Sequence, residues 1–168
     1  MLLALATSLI WCFTRLPSGK PLARHTTLLA QLAPWVFLTT AFIFDFASLD
    51  LVSRYGGTEL PLLYRISAVW GGRAGPLLLW AAIMGTVTWF MSGRSVSNSV
   101  EIKLMHGFTG AIFVISWILS PFAETSGWGG TLNPLLQTDL MVIHPPLIFA
   151  YYSLCLAVAS IALAPHQR

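Results

Sequence analysis

Residues 144–164 read HPPLIFAYYSLCLAVASIALA. From Pro145 to Ala164 there is no Asp, Glu, Lys or Arg. A helix needs roughly 20 apolar residues to cross a bilayer, with about 17 as the lower limit. This stretch therefore reads as a membrane-crossing helix. Four more apolar stretches precede it, at about Leu2–Thr14, Leu28–Ser48, Gly75–Met91 and Leu104–Ser120. The first is short; the others are long enough, the two nearest the centre narrowly. Over the 168 residues, 56% are hydrophobic and only 9% charged, against roughly 25% charged in soluble domains. The expected fold is an all-α integral membrane protein with about five transmembrane helices, in one domain over residues 1–168. Helices satisfy their own backbone polar groups in lipid, so this pattern is physically self-consistent.

Loop charges predict the orientation. Arg15, Lys20 and Arg24 follow the first stretch, Arg94 and Lys103 follow the third, and Arg168 ends the chain. The other loops carry Arg54, Arg65 and Arg73 with Asp45, Asp50, Glu59, Glu124 and Asp139. The positive-inside rule then places the N-terminus outside and the C-terminus in the cytoplasm. Two elaborated outer loops result, Asp50–Ala74 and Pro121–Ile143, and loops of that kind carry function more often than plain ones. The net charge of +3 comes from this pattern and not from a clustered basic face, which argues against a nucleic-acid partner. The N-terminal stretch lacks the basic start and small-residue cleavage pattern of a signal peptide. Cys12 and Cys155 lie in different stretches and read as small apolar filler.

His144 is the leading candidate for chemistry. Pro145 and Pro146 are tolerated in the first turn of a helix and not in its interior, so they predict a helix start with the imidazole at its mouth. The positive end of the helix dipole favours the neutral ring, the form that ligates metals. The competing reading is an interfacial histidine that only caps the helix. In the first outer loop, Trp70-Gly71-Gly72 lets backbone approach a flat ligand, Trp70 offers a stacking surface, and Arg65 or Arg73 offers a partner for a carboxylate or phosphate. The competing reading there is an anchor belt of Trp, Tyr and Arg at the membrane surface. Trp128-Gly129-Gly130 reads as a glycine-rich turn, and Asp45 as the outer end of the second crossing. His25 and His106 read as headgroup-level residues, and His166 as a solvated tail. Leu135–Ile143 forms either a short interfacial helix or the start of the fifth crossing. There is no metal-ligand spacing such as His-x-x-x-His, but a single histidine suffices as one axial ligand of a haem iron.

The order of motifs resembles the N-terminal portion of CcmF/NrfE-type cytochrome c haem lyases. The matching segments are Leu60-Pro61-Leu62-Leu63-Tyr64-Arg65, Trp70-Gly71, Leu77-Leu78-Leu79-Trp80, Pro121-Phe122, Leu132-Asn133-Pro134-Leu135-Leu136-Gln137 and His144-Pro145-Pro146, with Asp45-Phe46 ahead of them. The resemblance implies cytochrome c maturation at the bacterial inner membrane, or at the mitochondrial inner membrane if the protein is organellar. It implies that haem is held at the outer surface for covalent attachment to apocytochrome c, with His144 as an external axial ligand. Trp70 and Arg65 are weaker candidates to pack on haem and to pair with its propionates. The implied partners are a haem chaperone, apocytochrome c and the remaining haem-lyase polypeptide or polypeptides, besides membrane lipid. Where relatives usually have Trp-Gly-x-His-Glu-Gly-Ser, this chain has Trp70-Gly71-Gly72-Arg73-Ala74-Gly75-Pro76. The family's tryptophan-rich haem segment and its second external histidine lie beyond the matched part. The chain is therefore expected to be inactive in attachment by itself. The alternatives are a structural assembly subunit, an inactive truncated remnant and, more remotely, a small transporter or channel.

Overall fold

Apolar runs without charge fold as helices, and helices organise the described residues. The computed structural model describes residues 2–13, 21–93, 100–127 and 129–164. Arg15, Lys20, Arg94, Trp128, His166 and Arg168 lie outside the described residues, as does the side chain of Cys12. Among the described residues, seven α-helices follow in order: α1 (Leu2–Phe13), α2 (Pro21–Ile43), α3 (Asp50–Tyr55), α4 (Leu62–Ala68), α5 (Ala74–Ser92), α6 (Val100–Ile118) and α7 (Asp139–Leu163). Short 3-10 turns at Val69–Gly71 and Pro134–Leu136 sit between them. Among the described residues, Leu22–Ile43, Ala74–Ser92 and Asp139–Leu163 are long and apolar enough to cross a membrane. α1, at 12 residues, spans about 18 Å, well short of a hydrocarbon core of roughly 30 Å.

Long helices successive in the chain run antiparallel, whereas α5 and α7 pack side by side in the same direction. Arg24, at the start of α2, lies over the ring of Trp89 near the end of α5, 4.8 Å from its centroid. Gln31 of α2 meets His106 of α6. At the other end, Arg65 Nη1 donates to Ile43 O at the end of α2 (3.3 Å), and Phe37 meets Phe122 edge-on. The bundle thus has two poles, one around Arg24, Trp89 and His106, the other around Trp70, Leu132 and the start of α7. α7 turns small residues, Ser153, Ala157 and Ser160, toward its neighbours. It leaves Leu147, Tyr151, Leu154, Val158 and Ile161 exposed. Small residues permit close helix approach where lipid offers no hydrophobic drive.

Three expectations change here. α2 begins at Pro21 rather than Leu28, because Pro fits the first turn and the polar residues that follow stay helical. Thr26 and Thr27 hydroxyls donate back to Ala23 O, which satisfies them within the helix. α2 also ends earlier, at Ile43. Asp45 adopts φ 55, and Phe46 N donates to Ala41 O at 2.9 Å. Asp45 therefore closes a left-handed C-terminal cap just beyond the helix. Cys155 is exposed on α7 rather than filling the core.

Candidate functional site

The pole that carries His144 is built from both long loops. Its backbone is stitched across them: Asp50 N donates to Ala123 O (2.9 Å), Thr125 N to Ser48 O (2.9 Å) and Gly130 N to Ser53 O (2.8 Å). Leu49 and Glu124 form an antiparallel bridge between the same segments. Beneath them Val52, Leu60, Val69 and Leu132 are buried. The glycines of Trp70-Gly71-Gly72 serve this packing. A Cβ on Gly71 would stand 3.3 Å from Leu132 and Tyr55, and one on Gly72 would stand 2.8 Å from Leu51. Their backbone approach is to the protein's own side chains.

Arg65 holds three backbone carbonyls. Its Nε donates to Leu60 O (2.8 Å), Nη1 to Ile43 O and Nη2 to Thr58 O. The guanidinium ties the end of α2 to the loop before α4. The structure does not bring it together with His144 as a shared anion site.

His144 is not at a helix start. α7 begins at Asp139, capped by Thr138, whose hydroxyl accepts from Met141 N at 3.3 Å. Pro145 and Pro146 therefore sit inside the helix. An interior proline costs about 3 kcal/mol, partly because it strips the carbonyl four residues earlier of its donor. For Pro145 that carbonyl is Met141 O. Trp70 Nε1 donates to it at 2.7 Å, across 71 residues of sequence. A tertiary hydrogen bond thus replaces the one the proline removed, and the helix continues upstream. Trp70, read from sequence as a stacking surface, has its polar edge committed to this carbonyl. Below the prolines, Trp80 stacks on Phe149 with centroids 5.7 Å apart.

His144 itself is exposed. Among the described residues, none hydrogen-bonds or ion-pairs with its ring. Leu140 and Leu147, one turn away on either side, are exposed too. An exposed imidazole between apolar side chains could supply one ligand to a metalloporphyrin. Among the described residues there is no group of three His, Cys, Asp or Glu that could hold a bare metal ion.

His106 has the opposite setting. It is buried rather than at headgroup level, and its Nδ1 lies 3.3 Å from Gln31 Nε2. Gln31 Nε2 also donates to Ser8 Oγ (2.8 Å), and Ser8 Oγ donates to Ala4 O (2.9 Å). Beside them is a cavity of about 10 Å³, room for one water, lined in part by Arg24, Trp89 and Ser92. Sequence reading missed this polar core. The available signal was Gln31, a lone amide in an apolar stretch.

The sequence profile of the family described as "Cytochrome C assembly protein" matches residues 70–167. That is more than half of the chain and includes Trp70, Met141 and His144. The chain belongs to this family. It is 32% identical over 174 residues to the cytochrome c-type biogenesis protein CcmF of Pseudomonas aeruginosa, covering 88% of this chain and 26% of that protein. It is 30% identical over 128 residues to the protein of the same name in Escherichia coli, covering 70% and 20%. It is 24% identical over 173 residues to the biogenesis protein NrfE of Haemophilus influenzae, covering 90% and 27%. The chain thus spans about a quarter of the length of these CcmF/NrfE-type relatives. No solved structure matches it. The family is one of cytochrome c assembly proteins, and three of the described helices are long and apolar enough to cross a membrane.

Proposed function

We propose that this cytochrome c assembly protein presents His144 as one axial ligand for haem on the outer face of the bacterial inner membrane. Haem is the cargo, to be joined through its vinyl groups to cysteine thiols of apocytochrome c. The protein's task is to hold and orient that cargo. In this reading α2, α5, α6 and α7 cross the membrane, α1 enters it part-way with the N-terminus on the outer side, and the His144 pole faces the periplasm. The second ligand and the tryptophan-rich haem surface come from the remaining haem-lyase polypeptide, the haem itself from a haem chaperone.

One observation carries the reading: the histidine of a His-Pro-Pro motif is exposed, with no protein partner among the described residues, on a helix whose broken hydrogen bond is repaired from outside. A second reading, a structural assembly subunit without haem contact, draws on the inward commitment of Arg65 and of Gly71 and Gly72. The experiment is His144→Ala in the chain co-expressed with the remaining lyase polypeptide. Loss of co-purifying haem and of cytochrome c maturation, with the complex still assembled, supports the ligand reading. Unchanged haem and unchanged maturation support the structural one.

A further inference from the structure

We infer that Trp70 is the positioning residue for His144, acting as a latch on the carbonyl that Pro145 leaves open. The geometry has three parts. Met141 precedes His144 by three residues, so the two share nearly one face of α7. The Met141 carbonyl lost its helical donor to Pro145 and accepts from the Trp70 indole at 2.7 Å instead. Trp70 is itself fixed, because it sits on the 3-10 turn Val69–Gly71 with Val69 buried and Gly71 packed against Leu132 and Tyr55. The segment Asp139–His144 therefore lies upstream of a proline pair, and one tertiary donor joins it to the frame.

Helices bend where a proline opens the hydrogen-bond ladder. Without the latch, the turn from Met141 to His144 pivots about Pro145 while the rest of α7 stays clamped through Trp80 and Phe149. The imidazole then loses its fixed direction. The donor matters here and the bulk of the ring does not, which gives the idea a sharp signature: removing the need for the donor must remove the effect of losing it.

The test is a double-mutant cycle in the full chain, co-purified with the remaining lyase polypeptide and read by hydrogen–deuterium exchange of the amides of residues 141–144. Trp70→Phe should speed their exchange about tenfold, the effect of one lost hydrogen bond to a part-buried carbonyl. In Pro145→Ala, the new amide donates to Met141 O within the helix, and adding Trp70→Phe should then change exchange less than twofold. If Trp70→Phe fails to fold, β-(3-benzothienyl)alanine at position 70 keeps the ring shape and removes only the donor. Equal acceleration in both proline backgrounds, or none in either, overturns the latch. The positioning role rests on the reading of His144 as a haem ligand, but the two fail separately. A proline-dependent exchange effect with haem loading unchanged by Trp70→Phe keeps the latch and removes its positioning role, whereas haem loading unchanged by His144→Ala removes the haem reading and leaves the latch. A tenfold fall in haem loading by Trp70→Phe, relieved in Pro145→Ala, supports both.

Discussion

The two poles of the bundle each hold a histidine, and they treat it in opposite ways. His106 is buried against Gln31, which is tied in turn to Ser8. A polar group in an apolar interior is tolerated when its hydrogen bonds are satisfied by protein. His144 is exposed, free of protein partners among the described residues, and mounted on a helix opened by two prolines. The lesson is that Gln31 joins Ser8 and His106 by side-chain contacts across helices, while at the other pole Trp70 and Arg65 donate to backbone and the His144 ring meets no partner among the described residues. Trp70 and Arg65 are both committed to main-chain carbonyls, Trp70 to Met141 in the turn before His144.

Substitutions can break that contrast at chosen strengths. The largest effect is expected at Gly75, whose added Cβ would stand 1.7 Å from Val69 O. Backbone cannot yield there without moving the turn that bears Trp70. Gly75→Ala should destabilise by about 3 kcal/mol or more, seen as a large drop in thermal midpoint in detergent together with loss of haem loading. Next is His106→Leu, which strips Gln31 of a buried partner and should cost about 1–3 kcal/mol. Thermal melts should register it while haem per folded molecule stays constant; a haem defect without a stability change would reverse the roles assigned to the two poles. The smallest effect belongs to Thr138→Ala, which removes the cap of α7 and should cost about 1 kcal/mol. Exchange of the first amides of α7 would report it, with the α2–α6 polar core unmoved.

Much of this was legible in the sequence. The apolar runs located the long helices, because lipid-compatible segments admit few alternatives. The motif order brought Trp70 and the His-Pro-Pro segment to notice. What escaped is tertiary. Proline chemistry pointed to a helix start at Pro145, with Leu135–Ile143 open as a short interfacial helix or the start of the crossing; the helix begins at Asp139, with a donor 71 residues away on Met141 O. His106 read as a headgroup residue, since nothing local announces that Gln31, itself tied to Ser8, meets it. Trp70 and Arg65 read as ligand-facing because their residue types suit ligands. Their actual partners are carbonyls, and carbonyl positions leave no trace in a sequence.

The central claim, that the exposed ring of His144 holds haem, is tested most directly by chemical rescue. The complex carrying His144→Gly should lose its Soret absorbance and regain it on addition of free imidazole, while the complex carrying His106→Leu keeps its absorbance throughout. Full haem retention in His144→Gly, with no response to imidazole, would contradict the account.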